Sequence, residues 1–452
     1  MRSLLCFTLF VFLVVGCSSD DEDVVTASSE ETAITVEYKY LDHNRWIYAQ
    51  MNRHYLWRDD LPDSLECDYS LLPADFFESI LSDQDRFSYM YTNSSYDSSS
   101  SEEYGFAYQL YADKSGSTAL QILYVASTEA REAGLKRGEL YQISDSTSMS
   151  ITLTHVKMDA SGLFVKDDVD SESTIATSSS SSTVILDSIY NIGGHTIGYM
   201  CYTEFDEKAD LYEPLQQFAD SGISDLILDL RYNPGGYVAT SQYLSTCIVS
   251  EQAYGQIFEQ LVYNDIISEY YRETTGDEKT YFYFGNPSEQ GKLLGTGYVG
   301  LNLSCLYVIT SSYTASASEA LITGLRPFTD VVIIGETTVG KGVGSYSCSD
   351  DNYKYALQPI TFRYYNANYE TVSDDGLTPD YYIADGYSTR KTDLGDIEEP
   401  MLNQALQLIC LEAFSNTLSA KRVSGVSEQS LIPVGVPSFV TEYTKKQHTY
   451  EN

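Results

Sequence analysis

Hydrophobic residues along the chain follow two periods, and each period predicts a different kind of element. Apolar positions within residues 46–57 recur at helical spacing and predict an amphipathic helix. A second helical segment over residues 74–82 starts after Pro73, and a third covers 210–220. Short apolar runs that predict buried strands lie at residues 119–125, 196–202, 226–230, 306–309 and 331–334.

The order of these elements predicts how the chain is organised. Buried strands that alternate with helical or loop segments are typical of an α/β core with largely parallel pairing. Serine-rich stretches at 93–103 and 167–183 interrupt the pattern, and the second is predicted to be a flexible connector. The predicted parts are a helical region at 36–92 that serves packing and not chemistry, a β-rich region at 104–166, the α/β core at 184–390 and a C-terminal segment of helix or tail at 391–452.

The first residues have the pattern of an export signal. Residues 4–15 are apolar, and Gly16-Cys17 leads into an acidic run. The apolar block is too short for a stable membrane-spanning helix, and the residues around Cys17 resemble the cleavage box of bacterial lipoproteins. We therefore expect a signal peptide at 1–16, a tether at 17–35 with a lipid on Cys17, and a bacterial outer-membrane lipoprotein that faces the periplasm or the cell surface. An ordinary secretory signal is the alternative.

Charge and composition exclude several classes of partner and cofactor. The net charge is −38, from 65 acidic and 27 basic residues. Such a field repels phosphate backbones, which argues against nucleic acid and against anionic membrane surfaces, so membrane contact is expected only through the lipid. The cysteines form no Cys-x-x-Cys pair, and the five histidines have no zinc spacing. No metal or other cofactor is predicted.

The β-rich region carries a candidate peptide site. Tyr104-Gly105-Phe106 precedes the strand at 119–125, a short helix at 128–133 and a glycine-containing turn. This order resembles a PDZ module, in which a glycine loop captures a peptide carboxylate and a strand edge adds the peptide as a further strand. The resemblance implies peptide binding at Tyr104, Gly105 and Phe106. The alternative is a small β-rich insertion without a ligand.

A glycine-rich turn follows the predicted strand at 226–230. Residues 229–236 read Asp-Leu-Arg-Tyr-Asn-Pro-Gly-Gly, so Gly235 and Gly236 leave backbone N–H groups uncovered by side chains. Uncovered N–H groups can stabilise an oxyanion. Pro-Gly-Gly is also an ordinary tight turn, and that structural interpretation stays open.

A serine stands at the start of a predicted helix. Ser316 opens Ser-Ala-Ser-Glu, and Glu319 follows at the spacing of a capping box, so one interpretation is an N-cap serine. The other is a nucleophile. Both interpretations place Ser316 at a helix N-terminus, where the partial positive charge and the N–H of Ala317 favour a developing oxyanion.

A lysine follows 25 residues after the serine. Lys341 lies in Gly-Lys-Gly, and residues 335–342 imitate a phosphate-binding loop. Gly342 stands where such a loop needs Ser or Thr, and the residues that follow predict a strand instead of a helix, so a nucleotide site is rejected. A catalytic lysine would need burial that lowers its pKa from about 10.4 to between about 7 and 8. An exposed loop lysine is the alternative.

The chain resembles the C-terminal processing, or tail-specific, serine peptidases in the order and spacing of three segments. These are the turn at 229–236, Ser-Ala-Ser-Glu from Ser316, and Gly-Lys-Gly around Lys341. The similarity covers roughly residues 40–385. It implies a crotonase-like core, of the ClpP/crotonase type, with a PDZ module. Many members carry a glutamine four residues after the lysine, and Ser345 occupies that place here, so its orienting role is open. The implied roles are Ser316 as nucleophile, Lys341 as general base, Ala317 with Gly235 or Gly236 as oxyanion hole, and Glu319 and Thr338 as supporting residues.

The resemblance implies a serine endopeptidase that forms an acyl-enzyme through a Ser–Lys dyad. Its expected substrates are unfolded or C-terminal segments of proteins. One alternative is a non-catalytic cell-surface lipoprotein that binds peptides or glycans on a peptidase-derived core. Another is an enzyme with the same core that acts on a different amide or an ester. No oligomeric state is predicted.

Overall fold

The computed structural model describes residues 39–92, 104–147, 149–167, 172–178, 182–206, 210–285, 299–350, 355–386, 391–410 and 431–439. The predicted signal peptide, the acidic tether and Cys17 lie outside these residues. The helices are α1 (Leu41–His54), α2 (Pro73–Ser79), α3 (Thr128–Glu132), α4 (Tyr212–Ser221), α5 (Val238–Ile248), α6 (Asp265–Thr275), α7 (Ala317–Leu325) and α8 (Pro400–Ile409). The strands are β1 (Tyr89–Thr92), β2 (Phe106–Ala112), β3 (Thr118–Val125), β4 (Leu140–Ser146), β5 (Ser150–Met158), β6 (Phe164–Lys166), β7 (Glu172–Ala176), β8 (Val184–Ile192), β9 (His195–Tyr202), β10 (Asp225–Asp229), β11 (Ile257–Tyr263), β12 (Thr280–Tyr283), β13 (Cys305–Thr310), β14 (Asp330–Gly335), β15 (Val343–Ser345), β16 (Cys348–Asp350), β17 (Tyr355–Gln358), β18 (Ile360–Tyr365), β19 (Tyr381–Tyr382) and β20 (Ile432–Val434).

A six-stranded sheet forms the centre of the predicted α/β core. Its order is β19-β14-β13-β10-β9-β8. The first five strands pair in parallel, and β8 joins β9 antiparallel. Parallel strands covered on both faces read as continuous apolar runs, which is why β10 and β13 were recognisable in the sequence. The prediction of an α/β core is confirmed.

Helices cover the central sheet on both faces. On one face α4, α5 and α7 bury Phe218, Leu244 and Leu321 in a large core cluster. On the other face α8 buries Met401 and Leu406 against β9, β10, β13 and β14. Because the carboxyl ends of parallel strands meet at one edge, the loops after β10, β13 and β14 come together there. These loops carry the predicted site residues.

Two antiparallel sheets flank this core. One has the order β12-β11-β18-β15, and the other has the order β1-β17-β16. Through β1, the N-terminal region pairs with β17 along four residues, from Tyr89 opposite Gln358 to Thr92 opposite Tyr355. The N-terminal helices therefore pack on a strand that the chain makes more than 250 residues later.

The β-rich region is larger than the predicted segment 104–166. Its sheet has the order β20-β2-β3-β4-β5-β6, and β7 also pairs with β5. The prediction of a flexible connector over 167–183 is wrong for Glu172–Ala176, because β7 pairs with five residues of β5 and buries Ile175.

Among the described residues, no helix is long and apolar enough to span a bilayer.

Candidate active site

Ser316 stands between the buried strand β13 and helix α7. Its backbone adopts φ 56° and ψ −115°, in the left-handed half of conformational space that side chains other than glycine rarely occupy. Its N–H donates to Oε2 of Glu319 at 2.8 Å, and the residue is half-buried. Strained backbone of this kind is concentrated at functional sites. The hydrogen bond to Glu319 helps to hold the serine in this strained conformation at the N-terminus of α7.

The glycine turn after β10 lies directly against this serine. A Cβ added to Gly235 would lie 2.7 Å from Cβ of Ser316 and 3.0 Å from N of Ala317, and the residue has φ 112°. Only glycine allows this approach. The glycine turn, through Gly235, therefore lies beside the predicted nucleophile.

The backbone amides of Gly235 and Gly236 differ in their hydrogen bonds. The N–H of Gly235 donates to Oδ1 of Asn233 at 2.9 Å. The turn also pairs with Phe205, but this pairing uses the Gly235 carbonyl and the Tyr237 N–H. The amide of Gly236 takes no part in either contact. Of the two amides, that of Gly236 has no partner among these contacts, which makes it the candidate donor to an oxyanion.

A buried ionic network fixes the start of the turn. Arg231 is fully buried, and its Nε donates to Asp229 at 3.0 Å. Its other nitrogens bind both oxygens of Glu399, at 2.7 and 3.0 Å. Glu399 also caps α8 by accepting the N–H of Leu402. The paired fork geometry ties the turn to the opposite face of the sheet.

Lys341 occupies a dry pocket. Only 5 % of its surface is exposed. Burial lowers the pKa of Lys341 to about 7, although the negative charges of Glu319 and Asp85 oppose that shift. Its Nζ lies 5.6 Å from the centre of the Phe87 ring. A neutral amine is thus available near pH 7. The interpretation of Lys341 as a catalytic base requires this burial, and the interpretation as an exposed loop lysine does not fit it.

Glu319 joins the serine and lysine segments. Its Oε2 accepts the N–H groups of Ser316 and Lys341, each at 2.8 Å. Its Oε1 accepts the N–H of Gly340 at 2.7 Å and the hydroxyl of Thr338. Burial raises the pKa of Glu319, and these four donors work against that rise. Glu319 therefore supports the site by binding backbone N–H groups, and Thr338 supports Glu319 through its hydroxyl.

The N-terminal region builds one wall of the lysine pocket. Arg86 donates to the carbonyl of Val339 at 3.1 Å and to that of Asp374 at 2.9 Å. Phe87 packs with Val343 beside the lysine. Sequence reasoning assigned only packing to this region. Nothing in the local pattern at 85–88 indicates otherwise, because the contacts are made with residues more than 250 positions away.

Two family models match the chain. The model of peptidase family S41 matches residues 196–383, and the peptidase S41 N-terminal domain matches residues 42–89. Together they cover just over half of the sequence. The chain belongs to peptidase family S41. The prediction of a serine-type peptidase is confirmed as a family assignment.

Relatives and solved structures agree with the S41 assignment. The putative S41 protease of Bacteroides fragilis has a TM-score of 0.66 and 26% identity, and the match covers 80% of this chain and 96% of that one. The carboxy-terminal processing protease CtpB of Bacillus subtilis is 29% identical over 154 residues, which are 33% of this chain and 26% of that protein. The chloroplastic carboxyl-terminal-processing peptidase 1 of Arabidopsis thaliana is 25% identical over 193 residues, 42% of this chain and 34% of the relative. The similarity thus spans about a quarter to a third of the length of these two curated relatives.

The remaining predicted residues make hydrogen bonds with other parts of the chain. Ser345 donates its hydroxyl to Oε1 of Gln358 at 3.2 Å, so its hydrogen bond goes to that amide. Gly105 and Phe106 are buried in the β-rich region, and the Gly105 carbonyl accepts the N–H groups of residues 126 and 127. Tyr104 donates its hydroxyl to the carbonyl of Thr147 at 3.2 Å.

The loop after Lys341 also bears on the rejected nucleotide site. A phosphate-binding loop continues into a helix whose N-terminus faces the phosphates. Here the chain continues into strand β15, which pairs antiparallel with β18. The hydroxyl of Tyr364 on β18 donates to the carbonyl of Lys341 at 2.9 Å and lies 3.3 Å from that of Ser316. This pairing holds the lysine loop against the serine.

Proposed function

We propose that this S41 peptidase is a serine endopeptidase of the tail-specific type, which acts through a Ser316–Lys341 dyad. The observation that carries the proposal is the joint anchoring of both residues on Glu319, with Lys341 buried and its pKa lowered to about 7. An adjacent general base activates a serine hydroxyl, and in this proposal the buried amine of Lys341 takes that role without a histidine.

The chemistry follows from these positions. Neutral Lys341 accepts the proton of Ser316 Oγ while that oxygen attacks the carbonyl carbon of the peptide bond. The ammonium of Lys341 then donates this proton to the leaving amine, and an acyl-enzyme ester remains on Ser316. Neutral Lys341 then takes a proton from a water molecule as its oxygen attacks the ester carbonyl. The ester bond breaks, the ammonium returns this proton to Ser316 Oγ, and the acid product leaves.

The tetrahedral oxyanion needs donors that are already in place. In this proposal the N–H of Ala317, at the start of α7, is one donor. The N–H of Gly236 is the other. The close packing of Gly235 on Ser316 supports this arrangement, because it brings the turn to the oxyanion side of the serine. Preformed donors need no reorganisation during the reaction.

The finer assignments of fold and substrate belong to the same proposal. The parallel central sheet and its helices support a crotonase-like core. The β-rich sheet around β2 and β3 supports a PDZ-like module that docks an extended peptide, with unfolded or C-terminal protein segments as substrates. We further propose that the chain is exported and anchored in the outer membrane through a lipid on Cys17, on the basis of the residues around that cysteine.

A two-part experiment tests the catalytic proposal. An unfolded test protein is incubated with the parent chain and with Ser316→Ala, and both are treated with a serine-acylating probe. We expect Ser316→Ala to lower turnover by at least about a thousandfold and to lose the label on the peptide that contains residue 316. Unchanged turnover in this variant would reject the dyad. A parent chain that neither cleaves the protein nor reacts with the probe would instead favour the non-catalytic binding protein. Cleavage of ester substrates alone would favour an enzyme with the same core that acts on esters.

A further inference from the structure

The chain places its own C-terminal segment on the outer edge of the β-rich sheet. Strand β20 pairs antiparallel with β2, with Leu110 opposite Val434 and Ala112 opposite Ile432. Farther along, Ser438 and Tyr108 exchange two hydrogen bonds of 2.8 Å, one from the Ser438 N–H to the Tyr108 carbonyl and one from the Tyr108 N–H to the Ser438 hydroxyl. Residues 431–439, called here the edge segment, therefore occupy the strand edge that follows Gly105.

The edge segment is held mainly at its two ends. Leu431 is 2 % exposed and packs in a small apolar cluster with Tyr111. At the other end the ring of Phe439 packs on three tyrosines of the sheet and the core. Between these anchors, Ile432 is 59 % exposed and Val434 is 40 % exposed. The rings that contact Phe439 are those of Tyr124, Tyr232 and Tyr313.

The main-chain pairing between the anchors is short. Pro433 has no N–H, and the ladder covers only three residues before Gly435 interrupts it. The side-chain amide of Gln109 donates to the carbonyls of Val434 and Gly435, at 3.3 and 3.1 Å. Few buried contacts and an exposed ladder characterise a segment that opens locally at low cost. The edge of β2 can therefore be vacated without unfolding the sheet.

The far end of the edge segment reaches the loops after β10 and β13. Phe439 and Pro437 line a cavity of about 240 Å³ between the β-rich sheet and the core. Tyr232, from the glycine turn, and Tyr313, three residues before Ser316, line the same cavity. An extended peptide on the edge of β2, in the direction of the edge segment, would end beside these two loops, which also carry Gly235 and Ser316.

We propose that the edge segment is a built-in competitor for the peptide-docking edge of β2. An incoming extended peptide pairs with β2 in the same antiparallel direction and must first displace residues 431–439. The regulatory part of this inference rests on the proposed peptidase function. The docking part does not, because it concerns binding alone.

Binding of one defined peptide tests the docking part. The probe is a fluorescently labelled synthetic peptide with the sequence of residues 431–439, and its affinity for the full chain carrying Ser316→Ala is measured by anisotropy. Adding Leu431→Asp and Phe439→Ala removes both anchors of the edge segment. We expect this variant to bind the probe at least tenfold more tightly than the chain with the anchors. A control variant, Tyr270→Ala, truncates an exposed aromatic elsewhere and should leave the affinity unchanged.

A reversible lock supplies the opposite test. Leu110→Cys with Val434→Cys places two thiols on directly opposed residues, in the Ser316→Ala chain. The oxidised protein should not bind the probe, and reduction should restore the affinity of the unlocked chain. Equal binding in the anchored, anchor-free and locked proteins would overturn the proposal, and so would absence of binding to an anchor-free variant that still melts cooperatively.

Turnover separates the two proposals. In chains that retain Ser316, removal of the anchors should raise cleavage of an unfolded protein several-fold, and the oxidised lock should lower it. If the probe binds as expected but no variant cleaves, the proposed peptidase function fails and the docking edge stands. If cleavage occurs but does not respond to the anchors or the lock, the edge segment is not a competitor.

Discussion

The backbone N–H groups of Ser316 and Lys341 donate to the same oxygen, Oε2 of Glu319, each across 2.8 Å. One buried carboxylate thus sets the position of the proposed nucleophile and of the proposed base. The two residues come from separate loops, after β13 and after β14. The carboxylate of Glu319 also binds Gly340 and Thr338. Any displacement of Glu319 therefore moves both loops together.

Replacing Glu319 with glutamine should damage both stability and activity. An amide NH₂ in place of one oxygen cannot accept the N–H groups that now reach it, so buried donors lose their partner. We expect Glu319→Gln to lower the free energy of unfolding by about 2 to 4 kcal/mol and to lower kcat more than tenfold. Urea unfolding and steady-state cleavage measure the two effects. Glu273→Gln, at an exposed position on α6, should change neither.

Activity should depend on pH through the amine of Lys341. Its pKa is lowered by burial to about 7, and only the neutral amine can accept the serine proton. The value of kcat/KM should therefore rise with pH, with half of its limiting value near pH 7, and fall tenfold for each unit below. Lys341→Arg keeps a permanent charge and should be inactive throughout. A flat profile from pH 5 to 9 would contradict the role of Lys341 as base.

Phe87 should help to set the pH at which kcat/KM reaches half of its limiting value. Truncating its ring admits water to the lysine pocket and weakens the desolvation that lowers the pKa of Lys341. We expect Phe87→Ala to move the ascending limb of kcat/KM to higher pH by about one unit. Phe76→Ala is the matched control, because Phe76 is buried in the same N-terminal region but in a cluster without Lys341. It should cost stability and leave the midpoint in place.

A single methyl group on Gly235 should separate the turn from the serine. The added Cβ would meet Ser316 Cβ at 2.7 Å and the carbonyl of Ala315 at 2.8 Å. Gly235→Ala should lower kcat/KM by about a hundredfold, since a displacement near 1 Å has that effect on aligned groups. Gly222→Ala serves as control. It also has a positive φ, 62°, but nothing lies within 4 Å of its Cβ, so it should cost about 1 kcal/mol and leave catalysis unchanged.

The local elements of the core were predictable because each is encoded by its own residues. Apolar runs placed both ends of β9, β10, β13 and β14 within one residue of their observed limits. Strand β7 was missed because a serine-rich stretch carries little apolar signal, and it forms by pairing with the strand β5. Register and pairing partner are non-local properties.

The candidate site also has features that could be predicted from the sequence and features that could not. Ser316 and Glu319 could be predicted together, because they lie three residues apart at a helix start. The bond between Ser345 and Gln358 could not be predicted, since it joins two strands of the folded chain. The edge segment also carried no signal, because its strand exists only on the edge of β2.

The sequence by itself determined which chemical groups this S41 chain has and at which ends of strands and helices they stand. The tertiary structure alone decided whether those groups could react. Burial of Lys341 depends on Phe87, which lies more than 250 residues earlier in the chain, and the close approach of Gly235 to Ser316 depends on how two loops pack. Periodicity reports the face that a residue presents, whereas the pKa of a buried amine depends on every neighbour that excludes water from it.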